Sequence, residues 1–151
     1  MCIRDSGTGA GFPGIVLKIY IPDIRLTLVE SSKKKASFLK FLVPQLDLHR
    51  GITVEVLAER AEVCSQQQEH IGVYDWVFTR YVAAIRDSAV YCLPLLKPTG
   101  KWVAYKSGEE TIKTEIDESA TCLRALGGTV EAVLQNPRFD RSYIVMHRLK
   151  P

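Results

Sequence analysis

The chain has 151 residues and a mass of 16.9 kDa, and it is 46% hydrophobic and 25% charged with a mean hydropathy of +0.00. These values are ordinary for one soluble globular domain over residues 1–151, and they exclude collagen-like, disordered and disulfide-scaffold proteins. Because 20 Lys and Arg stand against 17 Asp and Glu, the net charge is +3 and the pI about 8.7, below the pI of about 9 that by itself indicates nucleic-acid binding.

The first part of the chain alternates strand and helix patterns. Residues 1–4 are not an apolar run, so we expect only a clipped first strand before a glycine-rich turn, and a first helix over residues 15–20. Residues 25–30 (RLTLVE) predict a short strand that ends in an acid. The next helix, with Pro44 as an expected kink, is marked by apolar residues at helical spacing. They are Ala36, Leu39, Leu42, Val43 and Leu46.

The same alternation continues almost to the end of the chain. The predicted strands are residues 52–57, 74–79, 101–105, 130–134 and 142–146, and the predicted helices are residues 61–69, 88–96 and 112–126. The last two strands have no helix between them, so we expect an antiparallel hairpin there. The fold class that follows is α/β, with a mostly parallel sheet that is covered on both faces and ends in this hairpin.

No targeting segment, membrane span, metal site or disulfide is expected. The chain opens without an apolar signal-peptide core, and no apolar run approaches the roughly 18 residues of a membrane span. The four cysteines form no C-x-x-C pair, and the three histidines show no metal-ligand spacing. We therefore expect reduced thiols in a cytoplasmic protein.

A glycine-rich turn carries the clearest functional signal. Residues 6–14 (SGTGAGFPG) stand between the first strand and the first helix, and Pro13 suits the first helical position. Glycines let a backbone turn tightly and approach a ligand. Glu30 ends the second strand, 19 residues after Gly11, where an acid accepts hydrogen bonds from ribose hydroxyls. The two features together favour a cofactor that contains adenosine.

Two cofactors fit this turn. Residues 9–14 match the G-x-G-x-x-G pattern of nicotinamide-binding proteins. Residues 7–11 match the G-x-G-x-G turn of S-adenosylmethionine (SAM) methyltransferases, with Asp5 ahead of it. A second half-fold for the nicotinamide end is difficult to fit into 151 residues, and SAM is therefore preferred, with a nicotinamide-dependent oxidoreductase as the alternative.

Residues 5–14 (DSGTGAGFPG) closely resemble the opening motif of the bacterial RsmG (GidB) family, the guanine-N7 methyltransferases of 16S ribosomal RNA. Similar motifs follow in the family's order over essentially the whole chain. They are residues 28–31 (LVES), 60–62 (RAE), 79–80 (TR), 95–98 (LLKP), 104–106 (AYK) and 126–128 (LGG). The resemblance implies a Rossmann-like class I SAM-dependent methyltransferase fold, SAM as cofactor, and 16S rRNA or the small ribosomal subunit as partner.

The resemblance also implies roles for individual residues. Arg80 matches the arginine at the edge between cofactor and substrate, and it is the implied catalytic residue. Lys106 matches a lysine of the fifth-strand motif, to which we assign no role from the sequence. The implied cofactor contacts include a ribose acceptor at Glu30 and an adenine site at the R-A-E turn. The full set is Asp5, Gly7, Gly9, Gly11, Phe12, Glu30, Ala61, Glu62 and Arg80.

The implied reaction needs few side chains. Guanine N7 carries a free lone pair and can attack the SAM methyl group without a general base, so catalysis reduces to orientation. A target base must leave its stack to reach such a pocket, and Phe12, Arg80 and Tyr81 are the candidates to receive it. A small-molecule or protein methyltransferase, and a cofactor-binding remnant without RNA activity, remain alternatives.

Departures from the family pattern affect the substrate side. Tyr81 stands where a small residue is usual, and Ser107 interrupts the common Lys-Gly pair after Lys106. The family carries an N-terminal helical segment before its first strand, whereas this sequence starts almost at the glycine turn. We therefore expect a truncated domain that binds SAM but methylates ribosomal RNA poorly.

Overall fold

A computed structural model describes residues 1–48 and 53–149 of the chain. The strands are β1 (Cys2–Ser6), β2 (Arg25–Val29), β3 (Val54–Leu57), β4 (Tyr74–Arg80), β5 (Leu96–Lys106), β6 (Gly128–Asn136) and β7 (Arg141–Arg148). The helices are α1 (Gly14–Tyr20), α2 (Lys33–Gln45), α3 (Ala61–Cys64), α4 (Ile85–Cys92) and α5 (Glu109–Ala125). Short 3₁₀ turns occupy Gln68–His70, Leu93–Leu95 and Pro137–Phe139. No helix of the described ranges is long and apolar enough to cross a membrane.

The seven strands form one sheet in the order β3-β2-β1-β4-β5-β7-β6. The strands β1 to β5 pair in parallel, and β7 is antiparallel to both β5 and β6. The predicted mostly parallel sheet with a terminal antiparallel hairpin is therefore confirmed. The direction of winding reverses between β1 and β4, and in open α/β sheets the crevice outside the carboxyl ends at such a point is where ligands bind.

The short first strand expected before the glycine turn is present as β1. β1 pairs with β2 on one side and with β4 on the other, so it lies at the centre of the sheet. Ile3 and Arg4 are both buried there. The Arg4 guanidinium bonds to Ser6 Oγ (3.1 Å) and to the carbonyl oxygen of Ala61 (3.3 Å). Pairing of the main chain on both sides, rather than apolar character, determines the strand.

Several predicted element bounds also differ from the structure. The helix predicted over residues 61–69 ends at Cys64, where the backbone changes to i→i−3 bonds, from the Gln66 N–H to the Val63 oxygen and from the Gln67 N–H to the Cys64 oxygen (both 3.2 Å). The helix predicted from residue 88 already begins at Ile85. β5 begins at Leu96 rather than at residue 101, so it includes Pro98 and Gly100. Pro13 is the N-cap of α1 rather than its first residue, and Pro44 lies in the last turn of α2. The predicted strand over residues 52–57 is described from residue 53 onward, since residues 49–52 lie outside the described ranges.

The two faces of the sheet carry separate cores. Between the sheet and helices α1 and α2 lie buried aliphatic side chains, which include Ile15, Leu26, Leu28, Leu39 and Val43. The opposite face packs beneath α4 and α5, around Ile85, Leu93, Trp102 and Leu123. Because both faces of β1 are buried, the loop that follows it starts from a fixed position at the carboxyl edge.

Candidate cofactor and substrate site

The glycine loop (residues 7–13) is fixed by its own backbone and by the end of β2. The backbone N–H groups of Gly7 and Thr8 both donate to the carbonyl oxygen of Val29, at 2.9 and 3.1 Å. Farther along, the Ile15 N–H donates to the carbonyl oxygen of Gly11 (2.7 Å) and so joins the loop to α1. The loop therefore connects the carboxyl ends of β1 and β2 to the start of the first helix.

Asp5 holds this loop closed from beneath. Its Oδ2 accepts hydrogen bonds from the Thr8 hydroxyl (2.6 Å) and from the Gly14 N–H (2.8 Å). Its Oδ1 is buried without a hydrogen-bond partner in the described residues. Burial raises the pKa of Asp5 to about 6, while the Thr8 and Gly14 bonds and the Arg80 charge oppose this rise. Asp5 thus orders the loop, and it keeps one acceptor atom unused.

The loop glycines have different surroundings. A Cβ at Gly7 would lie 2.6 Å from a Val82 methyl group, and one at Gly11 would lie 2.4 Å from Ile15 Cδ1. A Cβ at Gly9 would meet nothing within 4 Å. Gly9 has a φ of +62°, which L side chains rarely adopt. Gly7 and Gly11 are therefore required for packing, whereas Gly9 borders open space.

Glu30 faces the same open space from the end of β2. One of its carboxylate oxygens accepts the Gly9 N–H (2.9 Å), and the other accepts the Ser32 N–H (2.8 Å). The side chain is 7% exposed. Because each carboxylate oxygen can accept more than one hydrogen bond, Glu30 orders the loop and retains acceptor capacity for a ligand.

The last residue of β4 reaches across to the glycine loop. Arg80 is exposed, and its guanidinium carbon lies 6.0 Å from the centre of the Phe12 ring. Phe12 is itself 50% exposed. Beside this pair, the guanidinium of Arg141 lies 5.5 Å from the centre of the Tyr81 ring. Two stacked pairs of an arginine and an aromatic ring therefore border the carboxyl edge.

The predicted site residues lie in two groups along the carboxyl edge of the parallel strands. Asp5, Phe12, Glu30, Arg80 and the loop glycines meet around the ends of β1, β2 and β4. Ala61 and Glu62 begin α3, which follows β3, at the far side of β2. The side chain of Ala61 is buried in the core and that of Glu62 is exposed.

Three contacts at or near the site could not be predicted from the sequence. Thr8 holds Asp5, Val82 packs on Gly7, and Lys106 forms an ion pair with Glu115 (2.6 Å). Each joins residues whose proximity depends on the tertiary fold or on the loop conformation. Within the described residues, no group of three or more His, Cys, Asp or Glu side chains could hold a metal ion.

Comparison with known proteins identifies the family of this chain. A family model described as rRNA small subunit methyltransferase G (GidB) matches residues 2–142. The chain belongs to this family. It is 37% identical over 150 residues to the ribosomal RNA small subunit methyltransferase G of Alkaliphilus metalliredigens, with 97% of the chain and 61% of the relative covered. It is 44% identical over 126 residues to that of a Roseiflexus species, with 83% and 52% covered.

The chain thus spans 61% and 52% of the lengths of these two curated relatives. Solved structures agree in fold at low sequence identity. A SAM-dependent methyltransferase from Aquifex aeolicus has a TM-score of 0.73 at 17% identity. The superposition covers 99% of this chain and 82% of the Aquifex chain. The mitomycin 7-O-methyltransferase MmcR also has a TM-score of 0.73 at 17% identity, with 97% and 48% covered. The expected Rossmann-like class I methyltransferase fold is confirmed.

Proposed function

We propose that this chain, over residues 1–151, is a SAM-dependent methyltransferase domain that methylates N7 of a guanine in small-subunit ribosomal RNA. The observation that carries the proposal is the opening at Gly9, where a Cβ would meet nothing within 4 Å and where Glu30 presents a buried carboxylate. The family to which the chain belongs, described as rRNA small subunit methyltransferase G, supports the same proposal.

SAM fits the chemistry of this cradle. Glu30 has acceptor capacity for the ribose hydroxyls, and Asp5 has an unused buried oxygen beneath the same loop. Gly7, Gly9, Gly11 and Phe12 would contact the cofactor from the loop, and the R-A-E turn at Ala61 and Glu62 would border the adenine. When bound, SAM supplies an electrophilic methyl group on a sulfonium sulfur.

The residues on the substrate side suit a base attacking through its own lone pair. Guanine N7 is an acceptor at neutral pH, so no side chain has to remove a proton. Arg80, Phe12 and Tyr81 are exposed at the carboxyl edge and offer planar surfaces on which an unstacked base could lie. Their role would be to bring N7 in line with the methyl group, since orientation of two reactants lowers a barrier substantially.

The charge at this edge suits an RNA substrate. Arg80 and Arg141 lie at the carboxyl edge of the sheet, Arg138 follows β6, and Lys33 to Lys35 begin α2. Contacts between cations and phosphates supply most of the non-specific affinity for nucleic acids. The partner we propose is therefore 16S rRNA or the small ribosomal subunit, which implies a cytoplasmic location. The family match does not favour the nicotinamide oxidoreductase.

The test is transfer of a labelled methyl group from SAM to small-subunit RNA, with the product identified as 7-methylguanine by nucleoside mass spectrometry. Arg80→Ala should lower the rate by about 10- to 100-fold if a charged contact to the substrate is lost. Arg124→Ala, at an exposed position on α5, should leave the rate unchanged. Methylation of another base or of protein, or no transfer at all, would contradict the proposed function. An unchanged rate in Arg80→Ala would remove Arg80 from the site.

A further inference from the structure

Lys106 and Glu115 form the most enclosed ion pair described in this chain. Their side chains are 15% and 16% exposed, and Lys106 Nζ lies 2.6 Å from Glu115 Oε1. Lys106 is the last residue of β5, and Glu115 lies on α5. Lys106 also bonds to the short loop between β4 and α4, which we call the β4–α4 loop (residues 81–84), and Glu115 bonds to the residue that follows this loop.

Lys106 and Glu115 each form a hydrogen bond to the backbone where the β4–α4 loop meets α4. Lys106 Nζ donates to the carbonyl oxygen of Ala83 (2.7 Å). Glu115 Oε1 accepts the backbone N–H of Ile85 (2.6 Å), the first residue of α4. The residue before Ile85 is Ala84, which offers no side-chain cap to the helix. Glu115 therefore satisfies one of the N–H groups that helix termini leave unpaired, and it does so from another helix.

The first two side chains of the β4–α4 loop are largely exposed. Tyr81 is 48% exposed and Val82 is 41% exposed. Tyr81 has a φ of +52°, an unfavourable conformation for an aromatic residue. The loop directly follows Arg80, and Val82 packs against Gly7 of the glycine loop. Any displacement of the loop would therefore move Arg80 and Tyr81 relative to the cofactor cradle.

We propose that Lys106 and Glu115 are positioning residues that hold the β4–α4 loop, so that Arg80 and Tyr81 face the substrate. This inference rests on the proposed function for its effect on methyl transfer, but the ordering of the loop is separate from it. The pair touches neither the cofactor cradle around Gly9 and Glu30 nor the proposed path of the methyl group, and it acts through the backbone of the loop.

The experiment compares Lys106→Met and Glu115→Gln with a matched pair of control variants. Lys101 also lies on β5 and pairs with Glu131 at 2.6 Å, but that pair is 34% and 37% exposed and lies in the middle of the strand, five residues before Lys106. Lys101→Met and Glu131→Gln remove the same groups without touching the loop. Lys106→Arg keeps the charge and should restore part of the ordering if Lys106→Met is too unstable to study.

Three quantities are measured for every variant that keeps a cooperative melting transition. Hydrogen–deuterium exchange in the peptide covering residues 80–86 should rise by about tenfold in Lys106→Met and Glu115→Gln, because hydrogen bonds from charged side chains to the backbone at Ala83 and Ile85 are lost. Affinity for S-adenosylhomocysteine (SAH) should change by less than about threefold. The kcat for RNA methylation should fall, or its KM rise, by about 10- to 100-fold, while the Lys101 and Glu131 variants match the wild type.

Unchanged exchange in the loop would overturn the inference, and so would faster exchange with unchanged methyl transfer. If the wild-type chain itself transfers no methyl group to RNA, that result contradicts the proposed function, and the exchange measurement still decides whether the pair orders the loop. A loss of SAH affinity as large as the loss of methyl transfer would show a general structural role and would also overturn the inference.

Discussion

A valine at Gly9 should separate cofactor binding from folding. Gly9 has a φ of +62°, its N–H donates to Glu30 (2.9 Å), and a Cβ there would project into open space. In the free protein the substitution therefore costs mainly the unfavourable backbone conformation, about 1–2 kcal/mol. For a domain of this size this predicts a fall in the melting temperature of about 2–8 °C.

The cost in the complex should be larger, because the valine side chain would occupy the space proposed for SAM. Forcing extra methyl groups into a packed contact costs typically 1–3 kcal/mol. Strain at the upper value alone would weaken binding by about 150-fold, and a side chain that the cofactor cannot avoid would abolish binding. Isothermal titration with SAH measures this directly, and binding should fall below the range of the assay.

Gly72 provides the matched control for this substitution. Its φ is +68°, and a Cβ there would also meet nothing within 4 Å. It precedes β4, whose amino end is at the opposite edge of the sheet from the glycine loop. Gly72→Val should lower the melting temperature as much as Gly9→Val and leave SAH affinity unchanged. Equal SAH affinity in the two variants would refute the assignment of the cradle.

Two further substitutions test the acids of the site. Glu30→Ala should weaken SAH binding by about 10- to 100-fold, since bonds to a charged group contribute roughly 1.5–3 kcal/mol, and calorimetry showing no change would mean that the ribose is held elsewhere. Burial raises the pKa of Asp5 from 3.8 to about 6, so the stability that its protonated form provides is complete below about pH 4 and is lost as pH rises through about 6. Denaturant unfolding should show that the stability of wild type relative to Asp5→Asn falls by about 2 kcal/mol from pH 4 to pH 7, whereas a difference that is independent of pH would contradict this.

Alternation of strand and helix patterns predicted most of the fold because each element has a periodic apolar face. The terminal hairpin followed from the absence of a helix between its strands, and β7 does pair with β6 as an antiparallel neighbour. The central position of β1 was not predicted because Arg4 interrupts its apolar character, and the contacts that accommodate this side chain are tertiary: the Tyr74 ring, whose centre lies 5.8 Å from the guanidinium, and the carbonyl oxygen of Ala61. α3 was predicted too long because its polar sequence carries little periodicity.

The candidate site also contains features that the local sequence predicts and contacts that only the fold creates. The glycine loop and Glu30 are signalled locally, by residue types that suit a turn and a strand end, and the structure joins them through the Gly9 N–H. The bonds from Lys106 and Glu115 to the β4–α4 loop join residues that are 23 and 30 positions apart. Nothing in the local sequence marks such contacts, since they depend on the order of the strands.

One titration tests the central claim most directly. The wild-type chain is titrated with SAH and, separately, with NAD⁺ under the same conditions, and each titration is repeated with Gly9→Val. We predict one-to-one binding of SAH that Gly9→Val abolishes, and no measurable heat with NAD⁺. Binding of NAD⁺ in place of SAH, or SAH binding that survives in Gly9→Val, would contradict a SAM cradle at the glycine loop.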